Sequence, residues 1–454
     1  MYKFSAKCLT AFLLIVLSNT SFAQTSTYSN PTSERENNPY SKYGIGELWN
    51  GNPTLLKGMG SITSAYQNPY VINSENPASY SSLALTTFQG GGIASIRTIT
   101  SASGASYTAG TASLGYLNIG VPIRLQRTIA NSDAPAKHRA GLSIGLRPVS
   151  RAYYALLDTT ETALGTTIRS YAGDGGLSYA YLGAAYAYKG LSVGFNLGYM
   201  FGNYRNFTSL TTDSPTVTRA YEAQFANYTR LGGLYWKGGF MYEHMLGHDT
   251  ALHFRIGGTL ALGQNLNETL SSYQVSIFNF GDTLVNDTSR TQVEQKGKLK
   301  LPVSYSIGVM LASTDKWSVG IDYSMSDWSK FSSTPNSNVS VGVGKSAYRL
   351  AAGGEYTPNA NDLRNYFARV TYRVGFYYGQ DYVKLQNTAL PVYGVTFGGS
   401  FPYKRSTRST SRFHTSFDIG RIGTQSNNLL QQTYVRFGLG LTFNQQWFIP
   451  RRYD

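Results

Sequence analysis

The five histidines are the side chains whose spacing could indicate catalysis or metal binding. His244 and His248 are four residues apart, the spacing that places two metal ligands on one face of a helix. They fall at the end of a predicted strand and in the turn after it, so we interpret them as rim side chains. His253 stands beside Arg255, and no serine or aspartate partner for it follows from the sequence. We therefore expect no catalytic residue, no metal, no cofactor and no enzymatic activity.

Charged side chains on predicted inward faces are the second group that could do chemistry. Seven of them fall on the small-residue faces of predicted strands: Arg255, Asp322, Arg349, Glu355, Arg369, Arg373 and Arg436. An ionised group enclosed by protein needs a partner or water. One interpretation is a salt-bridge network that holds an N-terminal segment to the wall. The other is that one or more of the five arginines receive the acidic headgroup of a ligand through a bidentate contact.

The elements that would position these residues are strands, because a two-residue alternation begins near residue 85. In residues 191–202, large apolar side chains alternate with Ser, Gly, Asn and Met, and residues 435–444 repeat the pattern. Only 14% of the residues are charged, and 48 are Gly and 36 Tyr, which is unlike an ordinary soluble domain. Small residues on one face suit a crowded barrel interior. The sequence predicts an all-β, transmembrane, antiparallel β-barrel.

Counting the alternating segments gives about 14 strands, an even number as bacterial barrels require. Their approximate spans are 85–101, 108–125, 138–150, 167–188, 191–205, 231–246, 251–266, 291–313, 316–330, 345–358, 364–378, 390–404, 411–424 and 432–448. We predict that short links such as 189–190 and 313–316 are periplasmic, and that the longest connections, 206–230 and 267–290, are extracellular. The 126–137 link is longer than a periplasmic turn should be.

The chain ends predict export to the outer membrane of a Gram-negative bacterium. Residues 1–23 resemble a cleaved signal peptide, with Lys3 and Lys7 before the apolar stretch 9–17 and small residues ending at Ala23. The only cysteine, Cys8, lies inside that signal. Residues 85–448 form the predicted barrel, and residues 449–454 a basic periplasmic tail. The basic residues behind the net charge of +15 are scattered, which argues against nucleic acid and favours a basic lumen or contacts with lipid headgroups.

Residues 24–84 lack the alternation and are rich in Asn, Pro, Ser and Gly. A disordered tail would have this composition. The alternative is a hatch, or plug, folded inside the barrel, which is supported by residues of the kind that proteins bury: Trp49, Leu55, Leu56, Met59 and Ile62. About 14 strands also enclose a lumen too wide for side chains alone to fill. We therefore predict a hatch over residues 24–84.

Several motifs resemble the long-chain fatty-acid transporter (FadL/TodX-like) family of outer-membrane proteins. Gly58-Met59-Gly60 followed by Asn76-Pro77-Ala78 is similar to the hatch motif of that family. The run Leu-Pro-Val-Ser-Tyr-Ser-Ile-Gly at 301–308 is similar to its Leu-Pro strand opening. Residues 327–331, Asp-Trp-Ser-Lys-Phe, are similar to its Trp-Ser-x-Phe motif, and residues 348–356 look like the next strand.

The resemblance implies 14 strands, a hatch near a ligand site at Asn76, Pro77 and Ala78, and a lateral exit beside a kinked third strand. Carried over, the kink lies at Pro148. A proline cannot donate a ladder hydrogen bond, which independently favours a break there, although a strand-end proline is the alternative. The N-terminal motif at residues 38–48 and the tail after Phe448 differ from those of the well-known fatty-acid transporters. These two differences indicate a divergent branch of the family.

Two functions follow as hypotheses. The first is passive uptake of a hydrophobic, fatty-acid-like compound with lateral release into outer-membrane lipid. The second is a non-transporting barrel subunit of a multi-protein outer-membrane secretion or assembly machine, whose partners would be other outer-membrane or periplasmic proteins.

Overall fold

The computed structural model describes residues 37–49, 51–123, 138–162, 165–213, 221–246, 252–280, 283–314, 316–406 and 409–447. The predicted signal peptide, the basic tail and the 126–137 link lie outside these residues. Within the described ranges, no helix is long and apolar enough to cross a membrane.

The regular structure of the described residues is almost entirely strand. The strands are β1 (Glu47–Leu48), β2 (Thr86–Thr100), β3 (Ser106–Ile123), β4 (His138–Thr162), β5 (Gly165–Tyr188), β6 (Leu191–Asp213), β7 (Tyr221–Leu246), β8 (Leu252–Ala261), β9 (Asn265–Phe280), β10 (Thr283–Lys300), β11 (Val303–Ser313), β12 (Trp317–Asp327), β13 (Ser332–Ser333), β14 (Ser346–Tyr356), β15 (Thr371–Leu385), β16 (Thr388–Ser406), β17 (Ser409–Gly423) and β18 (Gln431–Gln445). One α-helix, α1, spans Thr54–Lys57, and short 3-10 helices span Pro39–Lys42, Pro77–Ser82, Ser337–Ser340, Phe367–Arg369 and Ser426–Asn428.

These strands form one antiparallel sheet that closes on itself. β18 pairs with β2 from Gln431 opposite Thr100 to Gln445 opposite Thr86. β9 continues β8, and β10 leads into β11, across breaks of a few residues, while β1 and β13 are short additions to the sheet. The wall is therefore a closed barrel of 14 strands, which confirms the predicted fold class and strand number.

The outer surface of the barrel carries the apolar band that the alternation predicted. Along β6, Leu191, Val193 and Phe195 are exposed, whereas Ser192 and Asn196 are each only 1% exposed. A sheet with apolar side chains outward and small or polar ones inward suits a wall surrounded by hydrocarbon. The predicted direction of the two faces is confirmed.

The predicted bounds of the two longest connections are wrong. Residues 206–213 and 221–230 belong to β6 and β7, and most of 267–290 belongs to β9 and β10. These strand ends extend the wall on one side beyond the apolar band. Polar residues fall on both faces of these strand ends, so a sequence such as Thr-Ser-Leu-Thr-Thr at 208–212 shows no apolar–polar alternation although it is paired.

The predicted strand at 364–378 is displaced, and β15 begins only at Thr371. Asp362 accepts hydrogen bonds through its Oδ1 from the backbone N–H groups of Arg364 and Asn365, both at 2.8 Å. Such a side-chain-capped turn competes with ladder pairing. Arg369 consequently lies in a 3-10 helix before the strand, so its predicted place on the inward face of a strand is wrong.

The N-terminal segment, residues 37–84, packs against opposite parts of the inner wall. Helix α1 contacts β16, β17 and β18, whereas the 3-10 helix Pro77–Ser82 contacts β4 to β7. Leu55, Leu56, Met59 and Ile62 have no exposed surface. The four side chains form part of a buried apolar cluster with Met310 of β11 and residues of other wall strands, so the segment forms a core with the wall.

Candidate functional site: the barrel lumen and its wall

Asp322 on β12 fixes the middle of the N-terminal segment to the wall. Its Oδ2 accepts hydrogen bonds from the backbone N–H groups of Thr63 at 2.5 Å and Ser64 at 2.7 Å. The Ser64 hydroxyl donates to Ser306 Oγ on β11 at 2.8 Å. Asp322 is 6% exposed, and a carboxylate at that depth requires such donors.

In the motif Asn76-Pro77-Ala78, identified from the sequence, Asn76 caps a short 3-10 helix and also contacts the wall. The Asn76 Oδ1 accepts from the N–H of Ala78 at 3.1 Å, at the start of a 3-10 helix whose first residue is Pro77. Its Nδ2 donates to the carbonyl oxygens of Ser64 at 2.6 Å and Phe240 of β7 at 3.1 Å. The motif therefore joins two parts of the segment to each other and to the wall.

Glu47 on β1 is the most strongly paired carboxylate of the segment. It accepts hydrogen bonds from Arg97 of β2 and Arg436 of β18, each at 2.6 Å, and from Asn38 Nδ2 at 2.7 Å. Arg97 and Glu47 side chains are 2% and 9% exposed. Burial alone would raise the pKa of Glu47, but the charges of Arg97 and Arg436 outweigh it and lower the pKa to about 2.

Two further carboxylates neutralise cations in the lumen. Glu75 of the segment pairs with Arg147 of β4, and with Lys237 of β7 at 2.7 Å. Glu243 of β7 pairs with Arg255 of β8 at 2.8 Å. Glu75 therefore connects the segment to two separate strands of the wall, β4 and β7. Glu243 forms an ion pair with Arg255, one of the predicted headgroup arginines.

Arg255, Arg373 and Arg436, three of the five predicted headgroup arginines, each have a carboxylate partner. Arg373 donates from Nε to Glu355 at 2.9 Å and also to Ser400. Since both edges of its guanidinium are occupied, a bidentate contact with a ligand would require these bonds to break. This arrangement supports the interpretation of the lumen charges as an ion-pair network.

The other two predicted headgroup arginines have different surroundings. The Arg349 guanidinium lies 4.1 Å from the centre of the Tyr377 ring and donates to the carbonyl oxygen of Gly60 at 3.3 Å. It therefore also contacts the N-terminal segment. Arg369 precedes β15, away from the other four.

A cavity of about 410 Å³ lies between the segment and the wall. Its ionisable lining residues include Glu47, Lys57, Asp322, Arg349, Asp418 and Arg436. Lys57 of α1 is 9% exposed, and burial, followed by the charge of Arg436, lowers its pKa to about 7. The lining of this chamber also includes apolar and aromatic side chains such as Leu48, Trp49 and Tyr377, and Asn76, Pro77 and Ala78 do not line it.

The barrel wall has an incomplete seam between β3 and β4. These strands pair only from Leu117 opposite Leu146 to Ile123 opposite Ala140. The pairing ends directly before Arg147 and Pro148, and the β4–β5 register shifts between Pro148 and Ser150. We call the opening between residues 106–116 of β3 and 147–162 of β4 the slot.

The N-terminal segment covers the β4 side of the slot. β1 pairs with β4 through Glu47 opposite Arg151 and Leu48 opposite Ser150. The N–H of Trp49 donates to the carbonyl oxygen of Val149 at 2.8 Å. Leu48 is 40% exposed and is one of the residues that line the chamber, so the chamber extends to β1 beside the slot.

His414 and His253 have hydrogen-bond or ion-pair partners on neighbouring strands. His414 is buried, with its Nδ1 2.6 Å from Ser400 Oγ and its Nε2 2.8 Å from Thr442 Oγ1. Both ring nitrogens are thus occupied, and the Ser400 hydroxyl also accepts from Arg373. His253 Nδ1 lies 3.2 Å from Glu243, and His248 lies outside the described residues.

Sequence reasoning did not identify Glu47, the centre of the strongest ion-pair group. Its partners Arg97 and Arg436 are 50 and 389 positions away in the chain. A glutamate in an Asn- and Gly-rich stretch without alternation gave no signal of burial. The sequence showed only that the motif at residues 38–48 differs from that of the well-known fatty-acid transporters.

The family model BamG matches residues 5–454, and the chain belongs to this family. No curated protein matches its sequence. Among solved structures, the Pseudomonas putida toluene transporter TodX is 16% identical, with a TM-score of 0.52 over 88% of this chain and 99% of TodX. A Pseudomonas aeruginosa FadL homologue is 12% identical, with a TM-score of 0.53 over 89% and 100%. The monoaromatic hydrocarbon channel CymD is 14% identical, with a TM-score of 0.50 over 87% and 98%. These likenesses establish a FadL-like barrel fold.

Proposed function

We propose that this BamG-family chain is an outer-membrane barrel with a closed lumen, which serves as a non-transporting subunit of a multi-protein secretion or assembly machine. The observation that carries the proposal is the attachment of the N-terminal segment to the wall on several sides. Asp322, Glu47 and Glu75 each connect it to a different group of strands. In this function the segment is a permanent hatch.

The chemistry of the chamber supports this proposal over uptake of a hydrophobic compound. Apolar surface gains about 25 cal/mol per Å² when it leaves water for an apolar site. The chamber lining places charged groups such as Arg349 and Arg436 among its apolar side chains, and an apolar ligand would remove water from these charges. Passage would also require the hatch to move, which separates buried ion pairs whose partners would be left uncompensated.

A disulfide that locks the hatch tests the proposal. Ser64 Oγ and Ser306 Oγ are 2.8 Å apart, so the pair Ser64→Cys and Ser306→Cys should oxidise with little movement. Cys8 is the only native cysteine. We expect the oxidised protein to retain the same co-purifying proteins as the wild type, and to leave uptake of a radiolabelled long-chain fatty acid by cells unchanged. The measurements are affinity purification with quantitative mass spectrometry and filtration uptake assays.

The matched control joins two wall strands without touching the hatch. Ile119 and Ile144 are opposite each other on β3 and β4, so the pair Ile119→Cys and Ile144→Cys adds a disulfide to the wall alone. If the hatch lock abolishes uptake, a reductant restores it, and the wall disulfide has no effect, the proposal is wrong and the barrel is a transporter.

Uptake of a hydrophobic, fatty-acid-like compound with lateral release is the second candidate, and the slot is the observation that favours it. The slot lies beside Pro148, where the family resemblance implied a lateral exit, and Leu48 beside it is 40% exposed. A ligand leaving there would enter lipid without crossing a polar pore. This candidate requires residues 47–49 to separate from β4, so it predicts that a disulfide between the opposite positions of Leu48→Cys and Ser150→Cys abolishes uptake, whereas the first candidate predicts no effect.

A further inference from the structure

The slot leaves one edge of β3 without a strand partner among the described residues. Residues 106–116 pair with β2 on one side. On the other side, the ladder with β4 covers only Leu117–Ile123. Since alternate residues of a strand direct their N–H and C=O groups to opposite neighbours, half of the backbone groups of residues 106–116 face the slot.

Most of this edge lies within the apolar band of the barrel. Gly110 is opposite Ile96 of β2, which is opposite Val435 of β18. Ile96 and Val435 are 59% and 44% exposed, and Leu114 on β3 itself is 57% exposed. Lipid hydrocarbon cannot satisfy backbone N–H and C=O groups, so open sheet edges do not persist at that depth.

The edge also lacks the residues that normally prevent strand addition. Exposed edges are usually protected by Lys, by other charges, by Pro or by a covering segment. Residues 106–116 read Ser-Tyr-Thr-Ala-Gly-Thr-Ala-Ser-Leu-Gly-Tyr, without a charge or a proline. The facing edge of β4 begins with Arg147 and Pro148, and β1 already pairs with it at Ser150 and Arg151. One side of the slot is thus occupied by strand addition, whereas the other is open to it.

We propose that an extended segment of a partner protein adds as a strand to residues 106–116 of β3. The proposal rests on the proposed function as a subunit and specifies how the partner is held. Main-chain hydrogen bonds provide the attachment, as in other β-strand additions. Outward side chains of the added segment lie beside Ala112 and Leu114 in the apolar band, so they are apolar, whereas the inward ones meet Thr111 and Ser113 and are small or polar.

Site-specific photo-crosslinking in cells tests the proposal. Benzoylphenylalanine is introduced singly at Gly110, Ala112 and Leu114, with Leu439 as the control. Leu439 is outward-facing and exposed, and its strand β18 is paired on both sides. We expect the three β3 positions to crosslink to one partner protein. Successive β3 positions should crosslink to partner residues that are two apart and follow in order along one segment of the partner. Leu439 should give no such series.

Two proline variants test whether the main chain holds the partner. Of Thr111 and Ala112, one directs its N–H to β2 and the other to the slot. Of Thr111→Pro and Ala112→Pro, we expect the variant that removes the N–H facing β2 to lose the folded barrel. The variant that removes the N–H facing the slot should fold but lose the crosslink from Leu114. On β18, both Phe437→Pro and Gly438→Pro should disturb the barrel, because each residue faces a paired neighbour.

Several results would overturn the inference. Crosslinks to β4 of the same chain would mean that the slot closes on itself, and crosslinks to β3 of a second copy would identify a homodimer seam. A folded proline variant that keeps the Leu114 crosslink, or no protein crosslink at all, would exclude strand addition. If the co-purifying proteins remain bound in those cases, the subunit role survives and only the attachment site is wrong. If no protein co-purifies, the proposed function itself fails.

Discussion

Replacing Glu47 with glutamine is expected to release the N-terminal segment from the wall. The substitution leaves Arg97 and Arg436 without their shared carboxylate, and Arg97 is only 2% exposed. Removing one partner of a buried ion pair costs about 3–5 kcal/mol. A cost of about 3 kcal/mol raises the open population about a hundredfold. The rate of limited proteolysis within residues 37–84, measured on the detergent-solubilised barrel, should rise accordingly.

Glu294→Gln is the matched control for this prediction. Glu294 pairs with Lys296 at 3.5 Å, but the two side chains are 50% and 78% exposed. Surface pairs of this kind contribute little, so this variant should behave as the wild type. Equal proteolysis of the Glu47 and Glu294 variants would show that the Glu47 pairs do not hold the segment.

The same carboxylate gives the stability of the segment a pH dependence. The pKa of Glu47 is lowered to about 2, from an ordinary value of 4.5. A depressed pKa means that its contribution is complete above about pH 4.5 and is lost as the pH falls toward 2. Proteolysis of the wild type by an acid protease should therefore increase over this interval, and the Glu47→Gln variant should lack that step.

Gly239→Ala is expected to be the second most disruptive substitution. A Cβ at this position of β7 would lie 2.2 Å from Asn76 Oδ1 and 2.8 Å from Pro77 Cδ. The Asn76 side chain cannot easily move, because its amide is bound to Ser64 and Phe240. Overpacking of this kind costs about 1–3 kcal/mol. The midpoint of urea unfolding in detergent should therefore fall.

The neighbouring residue is the control. A Cβ at Gly238 would meet only the carbonyl oxygen of Leu260, at 3.9 Å. Gly238→Ala should leave the unfolding midpoint unchanged, although both variants change the same strand. If both alanine variants unfold at the wild-type midpoint, the Asn76 motif is not packed against β7 as described.

The sequence predicted the parts of the fold that depend on a local pattern. Leu191, Val193 and Phe195 show which face meets lipid because each is followed by a small or polar residue. Pro148 marks the end of the β3–β4 pairing because a proline removes a ladder donor. The extended ends of β6, β7, β9 and β10 could not be predicted, since strands with polar residues on both faces lose the alternation.

The candidate site was harder to predict because its contacts join distant positions. Glu47 pairs with residues of the first and last wall strands, which are neighbours only because the barrel closes. Arg369 was misplaced because the Asp362 turn delays the start of β15. Arg373 and Arg436 were correctly placed on inward faces, but the sequence could not name their carboxylate partners.

Hydrogen exchange of the hatch amides is the most direct test of a permanently closed lumen. The N–H groups of Thr63 and Ser64 are bound to Asp322, that of Gly60 to Thr396 Oγ1 at 2.8 Å, and that of Ile72 to Gln89 Oε1 at 3.0 Å. We expect these amides in the full barrel to exchange as slowly as those of β18. Exchange of these four amides within seconds, while β18 stays protected, would contradict the closed lumen.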